Sequence, residues 1–454
     1  MQIRWARRKG TDTVRLHPRF IHQHNLTAPT TTVHFGAWNR EMRIQPDPGL
    51  AMDHLGLPLS FKDRFTIPAH LPYEVRIHDR EIHIGPVIGY IAFRNREGMT
   101  PQKLNRFIRR LSGYETIQGL IYLCSADSIN TATRTIKGYY YDPSRPPGLS
   151  RWVKGVFPYP GSVYKRIRIP NATYVDLVKV IGEHRIFNHH FFHKLDLWKI
   201  MQRDPEAKKH LPHTEELNGR IQQLDRFLTH FGNSAYLKPA MGSQGWGVIH
   251  VKKIADKYRF LLRGQNKTSV LPKEQAIQLL NRLRNQKTYL IQQAVEMKHG
   301  DRRVDFRAYM QKNSQEQWIC KGMIARFAKK GSVITNLANL EKLQYARKAL
   351  SQIYQLNLEQ AGVLERQVGK VCCEVCGALD RVYQGHYGDV AIDLVIDRNK
   401  NVWILEINKK YSWYSLHRMR DTKIMGEIMS GPFRYAKALA GFTPQTIRPL
   451  SKAP

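Results

Sequence analysis

The sequence predicts an α/β protein of several domains. These are a small β-rich unit over residues 1–80, an α/β unit over 81–185, a larger α/β unit over 186–440 and a tail over 441–454. Three observations predict this. With 42% hydrophobic and 10% aromatic side chains the chain can bury real cores, and 454 residues suit roughly two to four domains. Short runs with period-two hydrophobicity recur between Pro- and Gly-bearing turns, as strands do. From residue 81 such runs alternate with helical periods, the pattern of α/β units. No internal repeat or low-complexity segment interrupts it.

Element by element, residues 1–80 carry TTVHFGAW, EMRIQP and YEVRIH as strands and no long helical period. EIHIGPVIGYIAF reads as a strand pair, KLNRFIRRLS as a helix and GLIYLCS as a buried strand. YYYDPSRPPGLSRWVKG reads as a loop, because two adjacent prolines and a following glycine bar regular structure. EELNGRIQQLDRFLTHF reads as an amphipathic helix capped by Thr214, with an acidic first turn. CCEVC at 372–376 lies in a helical register with Leu364, Val368, Val371, Cys372, Val375 and Leu379. That register makes Cys373 and Cys376 packing residues rather than zinc ligands. His184, His189, His190 and His193 lack carboxylate or thiolate partners at metal spacing, so they read as packing or phosphate-proximal groups near a domain junction. KKYSWYSLHR fits stacking on a substrate and packing on the terminal helix equally well.

The charge balance narrows the function classes. Lys and Arg number 72 against 37 Asp and Glu, a net charge of +35 and a pI near 10.1. The excess is spread along the chain, at +5 over 1–80, +9 over 81–185 and +21 over the rest. This excludes an acidic disordered tail protein and favours polyanions as neighbours, through either a solvated basic surface or a dedicated site. No zinc-finger spacing, aromatic RNA-binding motif or Lys/Arg tract supports sequence-specific nucleic-acid recognition. No apolar run approaches the roughly 18 residues of a membrane span, and the basic start MQIRWARRKG leads into polar TDTVRLH, so a cytoplasmic address is expected. Five cysteines form no disulfide framework and fit a reducing compartment.

Two stretches carry chemistry. In AYLKPAMGSQGWGVIHV, Lys238 ends a strand at Pro239, and Gly242, Ser243, Gln244, Gly245 and Gly247 lie in the loop before the next strand. A dinucleotide fold or P-loop needs its glycines to open a helix, which is not the pattern here. The residues fit a hairpin whose backbone N–H groups close over phosphates above the Lys238 charge, and they also fit an ordinary hairpin turn.

In DVAIDLVIDRNKNVWILEIN two strands flank a polar turn near Asn399. Period-two alternation puts Val402, Ile404, Glu406 and Asn408 on one face, and folding about the turn brings Asp393 nearly opposite Glu406. Facing like charges within apolar strands suggest a cation between them. Two carboxylates and the Asn408 carbonyl are hard ligands suited to Mg²⁺ completed by water and substrate phosphates; solvated carboxylates on an exposed hairpin are the alternative.

At this point the residues resemble a known family. Lys238-Pro239, the glycine loop, and Asp393 with Glu406 and Asn408 at separations of 13 and 2 are similar to the ATP-grasp superfamily, the fold of D-alanine:D-alanine ligase, glutathione synthetase and ribosomal-protein glutamate ligases. More narrowly, IGP at 84–86, LPHT at 211–214, YLKPAMGSQGWG, LIQQAVEM, DFRAYMQKN, GSVITNL and EIN resemble the YheC/YheD family of endospore coat-associated ATP-grasp proteins. The resemblance implies an ATP-grasp unit over 186–440, with a nucleotide-loop subdomain at 186–290 and a metal-binding subdomain at 291–440.

It also implies roles for particular residues. Lys194 and Lys238 stand as the two phosphate-binding lysines. Backbone groups of Gln293, Ala294 and Val295 would meet adenine, with Gln292 or Glu296 nearby. Asp305 would face the ribose side and Arg307 the phosphates or acyl phosphate, with Arg326 and Asn336 turned toward phosphate and metal. Asp393, Glu406 and Asn408 would bind two Mg²⁺. Arg307, Arg326 and Lys238 would be the catalytic cations.

Three departures weaken the transfer of acceptor recognition. The asparagine-leucine pair is followed by ANLEK rather than two glycines, Ala391 stands where D-alanine:D-alanine ligases carry arginine, and KKYSWYSL replaces the small residues after EIN. The implied chemistry is an ATP- and Mg²⁺-dependent carboxylate–amine ligation through an acyl phosphate, with an anionic carboxylate donor and an unidentified nucleophile. Spore-coat proteins are the implied partners, nucleic acid and membrane are not, and the alternative is a catalytically weak coat scaffold that binds an anionic polymer.

Overall fold

The computed structural model describes residues 1–6, 12–146, 148–189, 194–241, 246–262, 268–332, 339–383, 385–412 and 414–443, with Lys194 described by its backbone alone. Their strands form four sheets that follow one another along the chain. The first holds seven strands between Gln2 and Gly85, and the second six between Val87 and Phe187. The third runs from Thr214 to Gln293 and is antiparallel throughout. The fourth runs from Lys298 to Asn408 and is also antiparallel.

The strands read from 81–93 do not pair with each other. Glu81–Gly85 pairs with Thr30–Phe35 and Glu74–His78 in the first sheet, while Val87–Phe93 opens the second beside Leu120–Asn130. The segment read as a loop is one only over its middle. Its ends are the paired strands Thr135–Tyr141 and Trp152–Pro158, because the prolines stop pairing locally and leave the aromatic flanks free to do so. Thr214 is not a helix cap. It starts the short strand Thr214–Glu216, and the helix begins at Ile221, after a turn through Gly219 at a φ of +82° that a continuous helix could not contain.

The fourth sheet positions the chemistry because its two faces differ completely. Val304, Phe306, Ala308, Ala325, Phe327, Ile392 and Leu394 point to one side and pack against the helices Ala346–Tyr354 and Leu358–Val382. The second of these starts with a reciprocal cap between Asn357 and Gln360 and buries Leu364, Val368, Cys372, Val375 and Leu379 along one stripe. Cys372 and Cys376 are therefore core residues, and Cys373, partly buried, packs at the core's edge and bonds the Trp318 carbonyl at 3.3 Å. The opposite face is polar, except where the helix Thr422–Leu439 lays Ile428 and Met429 against Tyr309, Ile324 and Ala391. The far half of that helix buries Phe433, Tyr435 and Leu439 among Tyr90, Tyr164 and Phe187 of the second sheet. One helix thus joins two sheets, each buried aromatic contributing roughly 1.5–3 kcal/mol. The chain stays packed beyond it. Phe442, only 5% exposed, lies so close to Gly85 that a Cβ there would come within 2.7 Å of the ring.

Candidate active site

The third sheet also has one apolar and one polar face. Ala235, Leu237, Val251, Phe260 and Ile291 pack under the helices Ile221–His230 and Lys273–Gln286. The cross-strand neighbours Tyr236, His250 and Gln292 therefore face the other way, with Lys238 two residues further along the Ser234–Pro239 strand. Gln292 is buried and spans two groups: its carbonyl accepts from the Lys238 ammonium, and its amide donates to Thr214 Oγ1 at 2.9 Å. The Lys238 charge also lies 5.4 Å from the Tyr236 ring. Beside it, Tyr236, Val248, Leu261 and Ala294 form a small apolar patch.

Gly247 lies between the two strands at a φ of +76°. A Cβ there would come within 2.9 Å of Pro239, so glycine is required on both conformational and steric grounds. Gly242, Ser243, Gln244 and Gly245 lie outside the described residues, as does Asn336. Lys194 begins the helix Lys194–Met201.

The segment after Gln293 leads from the third sheet to the fourth. Gln293 exchanges two bonds with His213, its N–H to the carbonyl at 2.8 Å and its side-chain oxygen to the N–H at 3.1 Å, and Val295 N–H bonds the Gln293 carbonyl at 3.1 Å. Glu296 sits where the two polar faces meet. It accepts from the Tyr236 hydroxyl at 2.8 Å and the Arg303 guanidinium at 2.8 Å, and lies 3.3 Å from His250 Nε2. Burial alone would raise its pKa, but Arg303, His250 and the Tyr236 hydroxyl outweigh that and hold it at about 2. Arg303, Asp305 and Arg307 alternate along one strand and so share a face. A single carboxylate thus binds the polar face of the third sheet to that of the fourth.

On the fourth sheet, register determines the partners. Asp305 stands opposite Arg326 and Arg307 opposite Asp393. Each pair is bidentate, with contacts of 2.6 and 2.7 Å in the first and 2.7 and 2.8 Å in the second. Arg326 also reaches Asp393 at 3.2 Å. Two cations and two anions are therefore compensated within one buried cluster. Burial would raise the Asp393 pKa, yet Arg307 and Arg326 hold it at about 2. The sequence reading gave these four residues separate duties toward ribose, phosphate and metal; the structure brings them together as one network.

Asp393 pairs directly with Glu406, and Ala391 with Asn408. The expectation that Val402 and Ile404 share their face with Glu406 and Asn408 is wrong. A β-bulge sets Ile404 opposite Leu394 and Glu406 opposite Asp393, so the extra residue, Leu405, reverses the alternation. Val402, Ile404 and Ile407 all enter the core, while Glu406 and Asn408 emerge half-buried beside Asp393.

These residues fit Mg²⁺ and nucleotide phosphates. A carboxylate offers about four lone-pair positions, and Asp393 uses three on its arginines, so one remains for a metal. Glu406 and Asn408 add hard oxygen donors beside it, and Arg307, Arg326 and Lys238 are the cations on the two polar faces. The hydroxyl of Tyr309, fully buried beside this cluster, makes no hydrogen bond among the described residues, consistent with a site that takes a polar ligand.

Sequence reasoning missed Asp389 and a cluster of cations. Asp389 is fully buried and bonds Tyr164 at 2.5 Å, Tyr411 at 2.6 Å and Gln311 at 3.0 Å, tying the second sheet to the fourth. Its signal was the spacing Asp389, Ala391, Asp393, which puts it on the face of Asp393. Nearby, Lys165 and Lys409, both buried, converge on the His189 carbonyl at 2.9 and 3.2 Å. Burial and then the neighbouring cations Lys165, Arg166, Arg168 and Lys410 lower the Lys409 pKa to about 5. No sequence signal revealed this, because the lysines are far apart along the chain.

A family model described as YheC/D-like ATP-grasp matches residues 183–439, more than half of the chain. Among curated proteins, the endospore coat-associated protein YheD of Bacillus subtilis (strain 168) is 25% identical over 361 residues, covering 76% of each chain. Endospore coat-associated protein YheC of the same strain is 26% identical over 232 residues, 49% of this chain and 62% of that protein. Among solved structures, the ATP-grasp ligase PsnB complexed with precursor peptide PsnA2 and AMPPNP is 11% identical with a TM-score of 0.43, covering 78% of this chain and 98% of that one. N5-carboxyaminoimidazole synthase from Aspergillus clavatus, in complex with ADP and 5-aminoimidazole ribonucleotide, is 8% identical with a TM-score of 0.40, covering 72% of this chain and 70% of that one.

Proposed function

The chain belongs to the YheC/D-like ATP-grasp family, and on that premise we propose that it is an ATP-dependent ligase joining a carboxylate to a nucleophile. The observation that carries this reading is the meeting, at Glu296, of a face bearing Lys238 with a face bearing Arg307, Arg326, Asp393, Glu406 and Asn408. In the reaction, a substrate carboxylate oxygen attacks the γ-phosphorus of ATP, the bond to the β-phosphate oxygen breaks, and an acyl phosphate and ADP form. A nucleophile such as an amine then attacks the acyl carbon, expels phosphate and loses a proton. Lys238 and the two arginines stabilise charge on the transferring phosphoryl group, and their positions are preset by Gln292, Asp305 and Asp393. Asp393, Glu406 and Asn408 would hold Mg²⁺, which supplies Lewis-acid stabilisation of the phosphate oxygens.

The apolar patch of Tyr236, Val248, Leu261 and Ala294 suits the adenine, next to the backbone of 293–295. The net charge of +35 favours an anionic carboxylate donor over a neutral one. The names of the curated relatives extend the reading to a role at the endospore coat.

The test is thermal unfolding with and without Mg²⁺-ATP, for the unmodified chain and for Lys238→Ala and Glu406→Gln. Ligand at about 100 times its dissociation constant adds about 2.7 kcal/mol to the folded state. A Mg²⁺-dependent rise in midpoint, weakened in both variants, is expected and leads to screening carboxylates and amines for ADP release. The absence of any rise in the folded, unmodified chain would sink the nucleotide site and leave a coat scaffold on a retired fold.

A further inference from the structure

The first sheet, outside the residues matched to the family, brings together two imidazoles and a carboxylate that no part of the ligase chemistry uses. Thr30–Phe35 and Glu81–Gly85 run parallel, with His34 beside His83 in register. Val33, Phe35, Ile82 and Ile84 fill the core, so alternation turns His34, Glu81 and His83 to the outer face. There His34 Nε2 lies 2.7 Å and His83 Nε2 3.9 Å from Glu81 Oε2, and the three ligating atoms all fall within 4.8 Å of one another. The two rings stack at 4.2 Å and 10°.

Tetrahedral zinc with bonds of about 2.0–2.1 Å requires ligand atoms roughly 3.3 Å apart. The separations of 2.7 and 3.9 Å straddle that value, and turning one ring out of the stack would bring both Nε2 lone pairs onto one ion. His83 Nε2 is buried and makes no hydrogen bond among the described residues, which is costly for a polar ring atom unless a ligand takes it up. The three side chains remain partly open to solvent, at 19%, 40% and 33%, leaving room for a water as fourth ligand.

We propose that His34, Glu81 and His83 form a binding site for a first-row divalent transition ion of the Zn²⁺ class, linking the Thr30–Phe35 and Glu81–Gly85 strands. The donors separate this ion from the Mg²⁺ of the ligase reading: imidazole suits zinc and its neighbours, whereas Mg²⁺ takes oxygen.

The experiment uses the full chain after chelator treatment, titrated with Zn²⁺ by calorimetry and with Co²⁺ by visible absorption. One equivalent of Zn²⁺ is expected, along with Co²⁺ bands of a four-coordinate site. Glu81→Gln and His83→Gln should each weaken Zn²⁺ binding by roughly 100-fold or more, since even outer groups around metal sites are worth 10–100-fold. Zn²⁺ should raise the unfolding midpoint of the unmodified chain alone. Undiminished binding in both variants would place the ion elsewhere among the 19 histidines and overturn the proposal. So would the absence of four-coordinate Co²⁺ bands in the unmodified chain, a readout that stands even if His83→Gln does not fold.

Discussion

Glu296→Gln tests the junction between the two polar faces. The carboxylate is 16% exposed and is held by Tyr236, Arg303 and His250. Lowering its pKa from 4.5 to about 2 corresponds to about 3 kcal/mol favouring the folded state at neutral pH. A carboxyl depressed on folding contributes fully above its unfolded value, near 4.5, and loses that contribution as the pH falls toward 2. Glutamine keeps the shape but cannot ionise, and it leaves Arg303 half without its partner. Urea unfolding at pH 7 and pH 3 should therefore show the variant less stable by about 3 kcal/mol at pH 7 and by about half that at pH 3. His250, lowered to about 4 chiefly by burial and kept from falling further by Glu296, is neutral at pH 7 in both proteins, so the pH 7 difference isolates the carboxylate. An equal deficit at both pH values would mean that neutral hydrogen bonding holds the junction, and a deficit under about 1 kcal/mol at pH 7 would mean that the carboxylate does not.

Asp393→Asn should cost about 3–5 kcal/mol in denaturant unfolding, because it leaves Arg307 and Arg326 buried with a weaker partner. Glu406→Gln, half-buried at the strand end, should change stability by less than about 1 kcal/mol while removing the Mg²⁺-dependent response to ATP, which thermal unfolding and calorimetry would separate. Phe442→Ala should cost about 3 kcal/mol, measured by the same unfolding assay, because the ring is buried against Gly85 rather than lying in a free tail.

Much of the chemistry could be read in advance because strands report their own facing. Asp305 and Arg307 share a face by simple alternation, and counting about the hairpin turn near Asn399 brings Asp393 nearly opposite Glu406, the bulge at Leu405 supplying the last residue of register. The helical stripe through Leu364, Val368 and Cys372 likewise identified core cysteines without any structure. Alternation misled at Val402 and Ile404, since a bulge inserts a residue without a compositional mark, and Leu405 is as apolar as its neighbours. Thr214 misled because capping chemistry and an edge strand use the same residue types, and the turn at Gly219 decided between them.

The sequence by itself determined which residue types face which side of each unbulged strand, and hence the α/β class, the lysine with its glycine turn and the approach of Asp393 to Glu406. Only the tertiary structure decided that Arg307 and Arg326 share Asp393, that Glu296 bolts one sheet to another, that Asp389 ties in Tyr164, and that His34 reaches Glu81 across 47 positions. The physical reason is range. Alternation and turn preference act between residues a few positions apart, whereas charge compensation in a buried cluster depends on which distant strands become neighbours, and that is settled when the cores close.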